Sequence, residues 1–228
     1  DHAIDIKAHG PAAIRDACAG GHVSILKLLL ALSPPRAVNV HAGSGKPLLR
    51  GCESGHTEVV HELLKLKGDR SMTRYFQQGK PLSLAASSGS VELLRLLLGM
   101  VPAYSPLDNP TARQHLQAAL LAACSGSIDA HEAISFLLGV FPTEGASGVE
   151  GGGIDPHSKA FEGACKGGHA ASVQAYLAAL TPPAPALRHS LLAAISPKRV
   201  HAGVVSAILS HPAAAVGVDA ACLLQAYS

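Results

Sequence analysis

The sequence predicts an all-α fold, a solenoid of about six stacked helix–turn–helix repeats joined by short hairpin or irregular connectors. Three observations carry this expectation. The chain copies itself: 17–29, 51–64 and 85–97 share one pattern, with central glycines at Gly21, Gly55 and Gly89, 34 residues apart. A fixed period of this size marks stacked supersecondary units. Each copy ends in leucines at helical spacing, as in Val91, Leu94, Leu97 and Leu98, which form one apolar stripe. Finally, 48% of the 228 residues are hydrophobic, aromatics are only 4% and Trp is absent. The core must therefore be Leu, Ala, Val and Ile, which suit closely packed helices.

The units follow in order. Repeats are expected at about 10–35, 44–69, 79–101, 113–141, 157–181 and 187–211, with a terminal helix at 218–227, all within a single domain spanning 1–228. In each clear unit a short helix of small residues ends near a glycine, and a longer leucine-bearing helix follows. The Gly-Gly or Ser-Gly between them supplies the left-handed backbone that an αα-turn needs. Lys46-Pro47 and Lys80-Pro81 place proline in the first turn of a short helix, where its missing N–H costs nothing. Ser33-Pro34-Pro35 stops the first long helix, and 38–45 reads as a hairpin-like excursion. The fourth unit turns at Ser125-Gly126-Ser127, with its second helix offset by a few residues. The sixth has Ser196-Pro197-Lys198 where the glycine turn belongs. The Gly-rich stretch 142–156 reads as a mobile loop inserted between helices.

At these residues the chain resembles the ankyrin-repeat family. That family's short helix reads Thr-Pro-Leu-His-x-Ala-Ala, then x-x-Gly-His and a Val/Ile-rich second helix. Lys46-Pro47-Leu48-Leu49-Arg50-Gly51-Cys52-Glu53-Ser54-Gly55-His56 and Lys80-Pro81-Leu82-Ser83-Leu84-Ala85-Ala86-Ser87-Ser88-Gly89-Ser90 match most of it. The match is good over about 10–100 and weaker to about 210. Lys replaces the signature Thr in both units, Leu49 and Ser83 replace the His, and the hairpin Asp is missing. Distorted hairpins are the expected result.

Composition excludes several function classes. Net charge is +2 from 18 basic and 16 acidic residues without a basic stripe, so nucleic acid is not an expected partner. No apolar run approaches the length of a membrane span, so direct membrane insertion is not expected. The five cysteines, Cys18, Cys52, Cys124, Cys165 and Cys222, are an odd number. They read as reduced, buried thiols of an intracellular protein, in cytoplasm or an organelle interior.

Cys18-x-x-x-His22, Cys52-x-x-x-His56 and Cys165-x-x-x-His169 resemble ligand pairs. Zinc needs four ligands converging at about 2.0–2.3 Å, whereas successive units pack about 10 Å apart. No metal is expected. Gly43-Ser44-Gly45-Lys46 lacks the first glycine and the final Ser or Thr of a phosphate-binding loop, so no nucleotide or other cofactor is expected. The 13 histidines show no triad arrangement, and the chain is read as non-catalytic.

The expected function is a scaffold or adaptor that holds a protein partner on its concave face and connector tips. The alternative is a permanent subunit of a large assembly. The resemblance implies contacts from the residues after the Ala-Ala pair: Glu53, Ser54, Ser87, Ser88, Cys124, Ser125 and Lys166. Interface energy concentrates in aromatic and Arg side chains, which adds the connector cluster Arg74-Tyr75-Phe76, with Tyr104 and Arg36. Tyr75 and Phe76 have an equal alternative, folding back to cover the core.

Overall fold

The computed structural model describes residues 6–34, 36–101, 104, 110–126, 128–140, 156–179, 184–196 and 199–211. The Gly-rich stretch, the terminal helix 218–227 and Cys222 lie outside the described residues. What is described is mostly helical, and the helices come in pairs. They are α1 (Ile6–Ala19) with α2 (Val23–Leu30), α3 (Ala42–Glu53) with α4 (Thr57–Leu64), and α5 (Lys80–Ser87) with α6 (Val91–Met100). Then follow α7 (Pro110–Ser125) with α8 (His131–Val140), α9 (Pro156–Gly167) with α10 (Ala170–Ala179), and α11 (Ala184–Ala194) with α12 (Ala202–Leu209). Among the described residues these make six helix pairs.

Packing runs in two rows. The odd-numbered helices touch in succession, α1 on α3 and so on to α11, and the even-numbered helices do the same from α2 to α12. One continuous apolar core runs between the rows, from Ile14 to Ile208. Small residues let the rows approach: Ala17-Cys18, Gly51-Cys52, Ala85-Ala86, Ala123-Cys124 and Ala164-Cys165 are all buried. Opposite them sit the aliphatic faces of the second helices, for example Val59, Val60 and Leu63 on α4. On α6 the buried set is Leu93, Leu94 and Leu97, while Val91 and Leu98 are only half-buried. All four predicted stripe residues thus meet the core, Val91 and Leu98 from its margin, and Leu93 joins the buried set.

The turn inside each pair follows from hydrogen bonding. At the end of α3 the Gly55 N–H donates to Cys52 O at 3.2 Å and the His56 N–H to Gly51 O at 3.0 Å. This double bond satisfies carbonyls that a helix end leaves open, and it requires a left-handed residue between. Gly21, Gly55, Gly89 and Gly168 fill that place, with φ between +71° and +78°. The next residue then starts the second helix: His22, His56 and His169 follow this scheme, and Ser90 caps α6 by accepting from Leu93 N at 3.3 Å.

Two units depart from it. Between α7 and α8 the turn is longer, and α8 opens from Ala130, whose carbonyl accepts from Ile134 N at 3.0 Å. In the sixth unit Ile195–Ser196 pairs antiparallel with Arg199–Val200, Ile195 opposite Val200. This minimal ladder replaces the glycine turn, and His201 N–H still reaches Ala194 O at 3.2 Å.

The same histidines join neighbouring units. The His56 Nε2–H donates to Ala19 O at 3.0 Å, and the His169 Nε2–H donates to Gly126 O at 2.8 Å. The His56 ring lies over the preceding turn so closely that a Cβ on Gly21 would stand 2.8 Å from it. Among the described residues the connectors between pairs carry no paired strands. In 65–79 the chain makes two short 3₁₀ turns, Gly68–Arg70 and Thr73–Tyr75. At 43–45 it makes three successive left-handed residues, including the non-glycine Ser44 at φ 60°. The hairpin-like excursion expected at 38–45 is thus corrected: its left-handed glycines are present, but no strands pair there.

His56→Ala should lower unfolding free energy by about 1 kcal/mol, because it removes one hydrogen bond and leaves the Ala19 carbonyl without its partner. Gly21→Ala should cost more, since it adds a left-handed penalty to a clash with the His56 ring. Urea midpoints at unchanged slope check both, and a Gly21→Ala protein as stable as the parent contradicts this account of the turn.

Candidate interaction surface

The connector cluster is a structural clasp. Phe76 is 1% exposed and belongs to the core. It meets Tyr104 edge-on at 5.9 Å between ring centroids, and Tyr104 meets His115 of α7 edge-on at 5.6 Å. Tyr104 is fully buried, and burial raises its phenol well above the ordinary range. Phe76 and Tyr104 are therefore corrected from candidate contacts to core. Tyr75 is half-buried: its hydroxyl donates to His41 Nδ1 at 3.2 Å, while His41 Nε2–H donates to Asp69 O at 2.6 Å. The Tyr75 ring lies on Gly45, where a Cβ would come within 2.8 Å. Arg70 reaches back to the end of α2 and donates to Leu30 O at 3.0 Å. Of the three clustered candidates only Arg74 is exposed, its guanidinium 6.0 Å from the Tyr75 ring centroid.

The serines and lysine spread along the row of first helices are engaged locally. Ser87 and Ser88, both half-buried, donate to Leu84 O at 2.9 Å and Ala85 O at 2.8 Å. Ser125 is exposed and lies against Gly163 of α9. Lys166 is exposed and paired with Glu162, whose carboxyl that contact holds below its ordinary value. Cys124 is buried, which corrects its reading as a contact residue. Arg36 is exposed in its connector.

Glu53 and Ser54 have a different setting. Both are exposed and line an open groove of about 870 Å³ that crosses the outer faces of three consecutive first helices. Arg15, Asp16 and Ala19 come from α1, Lys46, Leu49 and Arg50 join Glu53 and Ser54 on α3, and Lys80 and Leu84 come from α5. Two ion pairs lie along its floor, Arg15 with Asp16 at 2.9 Å and Arg50 with Glu53 at 2.7 Å. Lys46 and Lys80 are exposed and have no ion pair among the described residues. Sequence reading passed over Arg15, Lys46, Leu49, Lys80 and Leu84. The available signal was Gly-Lys-Pro, present as Gly45-Lys46-Pro47 and again as Gly79-Lys80-Pro81.

The cysteines and histidines of the repeated Cys-x-x-x-His spacing point to different places. Cys18, Cys52, Cys124 and Cys165 are buried free thiols, and burial pushes each up to about 12. The histidines that follow three of them, His22, His56 and His169, lie on the turns, with His56 and His169 bonded to carbonyls of the preceding unit. Among the described residues no three His, Cys, Asp or Glu side chains converge on one point. None of the described helices is long and apolar enough to cross a membrane. No family model matches this chain, and no curated protein matches it either.

Phe76→Ala should destabilise the fold by about 3–5 kcal/mol, as expected for a large buried ring, whereas Arg74→Ala should leave the melting temperature unchanged. Equal melts for the two variants would place Phe76 outside the core.

His115 generates a pH prediction. Burial lowers its pKa from 6.5, and its Nδ1 has no hydrogen-bond partner. The folded state therefore binds the proton less readily than the unfolded chain. The stability carried by the neutral ring is present above pH 6.5 and is lost as pH falls from there through the lower native value. His115→Leu should flatten the melting temperature between about pH 7 and pH 5 relative to the parent; an unchanged slope would exonerate this residue.

Proposed function

We propose that this chain is an ankyrin-type repeat scaffold that holds a protein partner in the groove across α1, α3 and α5. The observation that carries the reading is the groove itself. Three successive units contribute equivalent faces to one continuous surface, and its Glu53 and Ser54 are the positions that the family resemblance implies as contacts. A surface held by a packed core loses little conformational freedom when a partner docks. Non-catalytic action fits the thiols, which burial keeps protonated, and the histidines, which are engaged at turns. Their reduced state fits an intracellular compartment.

One observation favours the second reading, a permanent subunit of an assembly. Ile25 and Leu28, one helical turn apart on α2, are 49% and 71% exposed. Lys27 between them turns towards α4, where it pairs with Glu62 at 3.6 Å. The apolar pair therefore faces away from α4 and is left exposed among the described residues, where another chain can cover it.

Affinity capture from native extract, quantified by mass spectrometry, separates the two. Ser54→Trp fills the groove from an exposed position and should deplete the captured partner by at least about tenfold, the effect of losing roughly 1.4 kcal/mol. The double variant Ile25→Ser, Leu28→Ser should retain it. Depletion by the α2 variant alone would favour the assembly subunit and remove the groove from consideration. Thermal melts within about 2 °C of the parent confirm that both variants are folded.

A further inference from the structure

The groove bears charges that the stability of the fold does not call for. Lys46 and Lys80 occupy equivalent places in adjacent units, each after a left-handed glycine and before a proline. Regular helical geometry begins at Lys46, because Gly43, Ser44 and Gly45 are left-handed, and α5 begins at Lys80. A cation in the first turn of a helix faces the positive end of the helix dipole, so each lysine stands where a cation is disfavoured. Neither has an ion pair among the described residues, whereas Arg15 and Arg50 of the same groove are each matched to a neighbouring carboxylate. The Lys46 stem lies over Gly43, where a Cβ would stand 2.7 Å from its Cδ. The unusual left-handed run thus makes room for this side chain.

We infer that the groove takes an acidic peptide segment of a protein partner, with one carboxylate on Lys46 and the next on Lys80. The inference rests on the groove reading above and specifies the chemistry of the partner. Four basic side chains line the groove against two acidic ones, and the two acids are already paired, so the unmet charge is that of the lysines. Adjacent first helices are about 10 Å apart, and an extended chain advances about 3.3 Å per residue. Carboxylates about three residues apart therefore match the two lysines. Leu49 and Leu84 supply half-buried apolar surface for the residues between. Asp16 and Glu53 count against a continuous polyanion such as nucleic acid, because a phosphate at every step would be driven against them.

Fluorescence anisotropy on the full chain provides the test. The probe is a short fluorescein-labelled Gly/Ala peptide carrying two glutamates about three residues apart, beside the same peptide with lysines. The parent should bind the glutamate peptide, and more weakly as salt is raised. Lys46→Glu with Lys80→Glu should weaken that binding by about tenfold or more and transfer preference to the lysine peptide. Both positions are exposed, and circular dichroism checks that the variant is folded. Equal binding by parent and variant would overturn the inference, as would no binding of the glutamate peptide. Inorganic polyphosphate that binds the parent more tightly than the glutamate peptide would overturn it in favour of a general polyanion surface. Failure here while Ser54→Trp still depletes the captured partner would remove only the acidic segment; failure of both would remove the groove.

Discussion

The structure depends on one constraint, the turn between the two helices of a unit, which must be both tight and covered. A left-handed glycine closes the first helix, and the residue after it opens the second. In the best-formed units that residue is a histidine. Its backbone N–H completes the end of the first helix of its unit, and the ring of His56 or His169 donates to a carbonyl of the unit before. One side chain thus fixes a turn and sets the spacing to its neighbour. Substitution of the histidine changes what covers the preceding glycine: at Gly55 it is Ser88 and Ser90 that approach, and a Cβ there would be 3.2 Å from Ser88 Oγ. Turn and interface are therefore a single device, repeated with variations down the chain.

Much of this was legible because it is local. Glycine spacing, proline in the first helical turn and leucine periodicity are decided within a few residues, so the helical class and the left-handed glycine turns could be read from sequence. The full burial of Leu93 was less accessible, because the choice between Val91 and Leu93 depends on how α6 rotates against its neighbours. Phe76 was illegible for a stronger reason. Whether an aromatic in a connector faces a partner or the core depends on what awaits it, and here that is Tyr104 and His115, from a later connector and a later helix.

The candidate site divides along the same line. Glu53 and Ser54 are exposed, as their position within the unit implies. Ser87 and Ser88 sit at equivalent places, yet their hydroxyls turn back onto the carbonyls of α5, as short polar side chains at helix ends commonly do. In the sequence the lysines show only as departures from the family pattern, standing where that pattern has Thr. Their significance is spatial: an ion pair or its absence is decided by side chains from adjacent units, and spacing along the chain does not report it.

Packing confined to successive units has a consequence for how the chain reaches this state. Every principal contact joins helices close in sequence, within a pair or between adjacent pairs. Contact order is therefore low, and little loop entropy must be surrendered before burial begins to compensate. Structure can nucleate in any well-formed neighbouring units and spread outward. During synthesis, α1 to α4 have all their principal partners among themselves and α5–α6, so the leading units can pack while the later ones are still being made. The groove across α1, α3 and α5 belongs to that part, so the surface it offers can be in place before the later described units have packed.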